Sequence, residues 1–190
     1  MIIKCYNTNK EYLLFLDIEF NNLSLVQYAG LLFKRIEDET YQLQRSCNLY
    51  ITTQVCYAFA DYTSITNNFL RENGIPIESA VDIIENEFLE GVEPKQLMII
   101  SHGVKNDCIV LERAGLNIDC DKYCTFTNAR RILKRTDQLS LEALATESGY
   151  YLHHAHNAFN DAWAEVSVYT FLRKVEEQEK NECTSQTSKN

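Results

Sequence analysis

No stretch of this chain approaches the roughly 20 consecutive apolar residues that a membrane-spanning helix needs, so no membrane association is expected. Proline occurs only twice and glycine six times in 190 residues. Neither gathers into a linker, and no internal repeat breaks the chain, which argues for one domain. The opening MIIKCYNTNKEYLL lacks a long apolar core ending in small residues, so no signal peptide is expected. A disulfide framework is missing too. The seven cysteines are odd in number and irregular in spacing. Cys120 and Cys124 form a C-x3-C pair with no second pair to complete a zinc site. Reduced, mostly buried thiols and a cytoplasmic location are the expectation. Surplus positive charge is also lacking: the formal net charge is −9. Broad, non-specific duplex binding depends on Lys and Arg neutralising phosphates, and that class is disfavoured. A nucleic acid held at one end through metal ions is not.

What is present suits a folded α/β domain. Hydrophobic residues make up 45% of the chain, enough for a substantial core. Residues 12–19 read as a buried strand that ends at acids, and 24–36 and 40–51 as an antiparallel hairpin turning at Glu37-Asp38-Glu39. A short helical region spans 61–74 with Gly74 as its stop. A second helix opens near Pro76 and repeats apolar residues at Ala80, Ile84 and Phe88. Residues 96–101 form a short apolar strand and 105–115 a helix. TNARRILKR and LSLEALATESG supply two more helices. The last begins near Asn157, carries Ala158, Ala162, Val166 and Tyr169 at i, i+4 spacing, and runs to about Lys174. Three strands, a helical insert, a fourth strand and then helices predict a mixed sheet within one domain over 1–176. The polar segment 177–190 is expected to be a disordered tail.

Acids recur at three places. In LLFLDIEFNN, Asp17 and Glu19 lie at i and i+2 on a strand, so both carboxylates share one face. Unpaired, they repel, and one has to protonate. A divalent cation or a buried arginine resolves this, and so does a strand end that simply reaches water. In MIISHGVKNDCIVL an apolar strand ends at Ser101 and Asp107 opens a helix. That places Asp107 either at a ligand crevice beyond a strand's carboxyl end or merely in a favourable first helical turn. In HHAHNAFNDAWAEV, Asn157 as helix cap puts His156 just outside the helix and Asp161 one turn inside. A histidine-rich transition-metal site at His154 and His156 and a solvated loop are the other readings. Charge is uneven as well. Lys95 to Arg135 holds eight Lys/Arg against four Asp/Glu. Arg130 with Lys134, and Arg131 with Arg135, fall at i, i+4 on one broad helix face. That face is a candidate for phosphate contacts or a solvated surface.

Taken in order, acid-x-acid on an early strand, an acid after a later strand and H-x4-D entering a late helix resemble the DEDDh group of the DnaQ-like 3′-5′ exonucleases. The resemblance spans roughly residues 12 to 175. SITNNFLRENGIPIESAVDII resembles the family's "GIT" segment, and TFTNARRIL the stretch often reading T-x-x-L-A-R. LSLEALATESGYYLHHAHNAFNDA resembles L-x-x-L-x-x-x-x-G followed by H-x-A-x-x-D-A. The chain departs from the pattern at His102-Gly103-Val104-Lys105-Asn106-Asp107, where H-N-x-x-F-D is common. It departs again at Phe20-Asn21-Asn22, where Thr-Thr-Gly is common, and at Cys124, where many members carry Asp.

The resemblance implies a ribonuclease H-like α/β fold of the exonuclease type, a mixed central sheet flanked by helices. It implies Asp17, Glu19, Asp107 and Asp161 as ligands of two ions, Mg2+ or Mn2+, and His156 as general base. Phe20, Asn21, Asn22, His102 and Asn106 fall where the terminal nucleotide is held. The implied reaction is hydrolysis of phosphodiester bonds at single-stranded 3′ ends, DNA favoured over RNA. Trimming of RNA or short oligoribonucleotides is the alternative. A degenerate binding module should have lost a ligand or the base, and all five positions are filled. The tail shows no apolar anchor for a polymerase partner, and oligomeric state is left open.

Overall fold

Residues 12–19 form the heart of a six-stranded sheet. The computed structural model describes residues 1–116 and 119–187. Its strands are β1 (Ile2–Lys4), β2 (Tyr12–Asn21), β3 (Ser24–Glu37), β4 (Thr40–Tyr50), β5 (Leu97–Ser101) and β6 (Asp121–Cys124). Their order is β1-β4-β3-β2-β5-β6. The first four neighbours pair antiparallel, whereas β5 runs parallel to β2 and β6 parallel to β5. This is the mixed sheet of a single α/β domain that the sequence predicts. β1 and β6, of three and four residues, are too short to show a period and were not anticipated.

Seven α-helices flank the sheet among the described residues: α1 (Tyr57–Thr63), α2 (Asn67–Asn73), α3 (Ile77–Asp82), α4 (Val104–Arg113), α5 (Thr125–Ile132), α6 (Leu141–Glu147) and α7 (Ala158–Thr187). The helical region expected over 61–74 is two helices. Ser64 turns left-handed (φ 64°) and ends α1. Thr66 then caps α2 by accepting from the Phe69 N–H at 3.1 Å, one of the end donors a helix leaves unpaired. Gly74 stops α2 as expected. α3 continues as a π-helical turn over Ile83–Phe88. Its Phe88 lies against β3 at Gly30, where any Cβ would come within 2.8 Å of the ring.

β2 is buried on both faces, which is why its sequence shows no polar alternation. Leu13 and Phe15 meet α7 at Ala158, Ala162, Val166 and Tyr169. Leu14, Leu16 and Ile18 point the other way, into a core with Ala80, Ile84, Phe88 and Val110. Strand parity therefore sends Asp17 and Glu19 to the face that α7 covers. The alanines of α7 let it approach the sheet closely.

The sequence predicts that α7 ends near Lys174, but the helix runs on to Thr187. Its polar turns are tied down. Glu176 pairs with Arg131 at 2.8 Å and Arg173 at 2.6 Å. Glu179 pairs with Lys134 at 2.7 Å, and Glu177 accepts from Asn7 at 2.5 Å. The segment read as a tail thus begins as helix, and residues 188–190 lie outside those described. Arg173 also donates to the carbonyl oxygens of Tyr6, at 2.8 Å, and Asn7. Its guanidinium lies 5.9 Å and 6.0 Å from the ring centres of Tyr123 and Tyr169. Replacing Arg173 by Ala should cost about 2–3 kcal/mol, since hydrogen bonds from a charged donor contribute roughly 1.5–3 kcal/mol each. Denaturant unfolding measures this, and hydrogen exchange should show residues 2–7 opening first. An unchanged midpoint would mean that β4 alone holds β1.

Candidate active site

The carboxyl ends of β2, β5 and β6 reach the same edge of the sheet, and side chains beyond them line an open crevice. Asp17, Glu19, His102, Glu142, His156 and Asp161 border it, with Tyr62 at its rim, and its volume is about 430 Å³. Crevices beyond the carboxyl ends of parallel strands are a common place for ligands in α/β sheets.

Each acid is placed by local structure. Past Glu19 the β2–β3 ladder slips by one residue at Phe20, a bulge that ends the regular strand beside the crevice. Asp107 sits in the first turn of α4 and is only 7% exposed. The Ser101 hydroxyl donates to its carboxylate and accepts the Gly103 N–H at 3.2 Å. One serine therefore fixes the β5–α4 turn and the acid together. Asp161 lies one turn into α7. Its N–H donates to the Asn157 carbonyl at 3.0 Å. The Asn157 side-chain oxygen caps the helix at the Asn160 N–H, 3.4 Å away. Gln27, fully buried on β3 opposite Glu19, holds the helix start against the sheet. Its Oε1 accepts from the Ala158 N–H at 3.1 Å, and its Nε2 donates to Asn48 at 2.9 Å.

The loop before α7 has an uncommon shape. His154 and His156 both have positive φ, 53° and 67°, a region that few non-glycine residues adopt. The Asn160 amide holds the loop by donating to the carbonyls of His153 at 3.0 Å and His154 at 3.4 Å. The His156 N–H donates to Asp161 Oδ2 at 3.0 Å. Asp161 Oδ1 is buried with no hydrogen-bond partner. The Tyr62 ring covers His156, with centres 3.7 Å apart and planes tilted by 32°.

Electrostatically the site is under-neutralised. Burial, then the charges of Asp161, Asp107, Glu19 and Glu165, hold the Asp17 carboxyl well above its ordinary range. Burial with Asp161 and Asp107 raises Glu19 to about 7. Burial raises Asp161 to about 6 and pushes Asp107 upward as well. Burial lowers His156, and Glu142 opposes that only in part, so the imidazole favours its neutral form. Donor atoms of Glu19, His156 and Asp161 lie within 4.8 Å of one another and can hold a metal ion. Oxygen-rich sites of this kind suit hard divalent cations.

The structure thus brings Asp17, Glu19, Asp161 and His156 together at one crevice, with Asp107 beside them. His102 lines the wall. Other residues expected at the terminal nucleotide do not border the crevice. Phe20 packs into the core, Asn21 accepts from Cys56 Sγ at 3.2 Å, Asn22 makes the left-handed hairpin turn with Leu23, and Asn106 faces water. The basic helix face expected from Arg130 with Lys134 and Arg131 with Arg135 does not form: α5 ends at Ile132, and Lys134, with φ 53°, and Arg135 lie beyond it. Arg131 and Lys134 pair with α7, Arg135 pairs with Glu147, and Arg130 is exposed away from the crevice. Cys124 donates to the His102 carbonyl at 3.2 Å. Sequence reasoning missed Tyr62, which carries no signal in its own segment. It also missed Glu165, one turn beyond Asp161, which helical spacing could have found.

No protein-family model matches the sequence, and no curated protein matches it. Solved structures do. The nuclease domain of 3′hExo, a DEDDh family member, bound to rAMP superposes with a TM-score of 0.68 at 12% identity, over 88% of this chain and 94% of that one. E. coli Exonuclease I in complex with a dT13 oligonucleotide gives 0.69 at 15% identity, over 90% of this chain and 43% of that one. Cell-death related nuclease 4 gives 0.67 at 13%, over 86% and 64%. At these identities the likeness is one of fold, and the fold is the DnaQ-like exonuclease fold.

The raised carboxyls make a pH signature. Glu19 and Asp161 keep protons in the folded chain at pH values where the unfolded chain has released them. Metal-free stability should therefore fall as pH rises from the ordinary carboxylate range through about 7. Thermal melts in chelator should show Asp17→Asn raising Tm more at pH 8 than at pH 5, with added Mg2+ shrinking that gain. An equal effect at both pH values would count against the shared burial of these charges.

Proposed function

We propose that this chain is a metal-dependent 3′–5′ exonuclease that hydrolyses phosphodiester bonds at single-stranded 3′ ends of nucleic acid. The observation that carries this reading is the meeting of Asp17, Glu19, Asp161 and His156 in one open crevice, each contributed by the motif that resembles the DEDDh pattern. Asp107, from the second of the three matching motifs, stands next to them. The shared fold adds support, since it also holds rAMP in one nuclease and an oligonucleotide in another.

Asp17, Glu19, Asp107 and Asp161 would hold the divalent cations, Mg2+ or Mn2+. The orphaned Asp161 oxygen and the raised carboxyls fit that role, because a cation replaces the protons the folded chain otherwise retains. Bound cations supply charge neutralisation and a water acidic enough to attack phosphorus. The remaining work falls to the chain. His156, kept neutral by burial, takes the proton from that water. Tyr62 restrains the imidazole from one face, and the Asn160 amide sets the loop that presents it.

A digestion panel of labelled single- and double-stranded DNA and RNA, with Mg2+ or Mn2+, should show stepwise shortening from the 3′ end and reveal the preferred sugar. Asp17→Ala should abolish cleavage with the fold intact. His156→Ala should lower turnover by roughly 10²–10⁴-fold, the scale of a general base, with substrate still bound when metal is present. Absence of cleavage of all four substrates with either metal would sink the reading. A joint loss of binding and turnover in His156→Ala would make that residue a ligand instead.

A further inference from the structure

Glu165 is the most anomalous side chain in the molecule. It lies on α7 one turn past Asp161, is fully buried, and neither carboxyl oxygen has a hydrogen-bond partner of standard geometry. Such a group is costly in a folded protein unless something compensates it. The polar groups facing it are the Thr125 hydroxyl and the His102 backbone N–H. Thr125, itself fully buried at the start of α5, places its Oγ1 3.0 Å from Nδ1 of His102. The ring of His102 borders the crevice and packs edge-on against Phe126, with centres 5.6 Å apart.

We propose that Glu165 is a positioning residue: through Thr125 it closes a buried chain of hydrogen bonds to the His102 imidazole and so fixes the crevice wall against which the terminal nucleotide lies. The kinetic part of this proposal rests on the exonuclease reading; the chain of bonds does not.

The proton count gives the chain its direction. The Leu139 backbone favours a proton on the His102 ring, and a carbonyl only accepts. With Nε2–H as that donor, Nδ1 must accept from the Thr125 O–H. The Thr125 oxygen is then free to accept one bond, and the donor that can supply it is a neutral Glu165 carboxylic acid. The second Glu165 oxygen accepts the His102 N–H. Burial first, with the charges of Asp107 and Asp161 adding, holds this carboxyl well above the carboxylate range. The His102 ring is likewise kept neutral by burial. Three elements thereby lock together: α7, the start of α5 and the turn after β5. Leu139 extends the chain to Ser140, which caps α6 by accepting from the Ala143 N–H at 3.2 Å and borders the same crevice.

Three variants of the full chain test this. Glu165→Leu keeps the volume and removes the polar head, Thr125→Val removes the middle link, and Glu165→Gln keeps a neutral donor and acceptor. Nitrogen NMR of the His102 ring, recorded without substrate, should show one Nε2–H tautomer in the wild type and in Glu165→Gln. In Glu165→Leu and Thr125→Val the Nε2 proton should stay, held by Leu139, and the Nδ1 signal should move to that of an acceptor without a fixed donor. On a single-stranded oligonucleotide with Mg2+, those two should raise KM roughly five- to tenfold, the scale of one lost hydrogen bond, with kcat nearly unchanged. Their double variant should be no worse than either alone, and Glu165→Gln should restore wild-type values. An unchanged His102 Nδ1 signal in Glu165→Leu would overturn the proposal. So would a Glu165→Gln as damaging as Glu165→Leu, since charge would then be what matters. Should Glu165→Leu fail to fold, Thr125→Val carries the same comparison. Because the ring signals need no turnover, loss of the exonuclease reading would be told apart from loss of the hydrogen-bond chain.

Discussion

Carboxylates held together away from water are the constraint around which this structure is arranged. Asp17 and Glu19 continue the face of β2 that, two residues earlier, packs Phe15 against α7. The helix that covers this face brings Asp161 and Glu165 to the same place, and α4 adds Asp107. Five acids then share a region without a paired cation among the described residues. Coulomb repulsion and desolvation act in the same direction, toward protonation. The fold tolerates this because the apolar remainder of β2 is buried on both sides. Each large side chain so buried stabilises by roughly 1.5–3 kcal/mol.

The polar scaffold around the acids is built mostly from neutral groups. Ser101, Gln27, Asn157 and Asn160 fix backbone and side chains by hydrogen bonds and add no charge to a site that already has too much of one sign. A lysine or arginine bonded to the acids would satisfy them permanently. The donors used here leave the carboxylate lone pairs open. Asp161 illustrates the division: one oxygen holds the His156 backbone and the other is unengaged.

Much of this was legible in the sequence, for reasons that differ by element. The β2–β4 meander showed through long apolar runs and a polar turn. The convergence of Asp17 with Glu19 followed from strand parity alone. The placing of His156 and Asp161 followed from the order of motifs. What stayed hidden depended on tertiary neighbours. β6 is four residues long and gains its identity from pairing with β5. The split between α1 and α2 comes from one left-handed serine. Spacing put Arg131, Lys134 and Arg135 on one helix face, but α5 stops at Ile132, and only the extended α7 and Glu147 reveal that their charges are met within the molecule. Glu165 stood in plain view at i+4 from Asp161, but its burial could be known only once α5 and the β5–α4 turn were seen to close over it.

The length of α7 ties the segment that follows the first strand to a crevice it never touches. Arg173 clasps the chain at Tyr6 and Asn7, twelve residues from Asp161 on an unbroken helix, a separation of about 18 Å at 1.5 Å per residue. A helix of that length transmits axial displacement with little give. The clasp therefore acts as a datum from which the carboxylate's position is gauged, in the way a machinist sets a cutting edge from a fixed shoulder. Accuracy at the crevice is held from the far side of the domain.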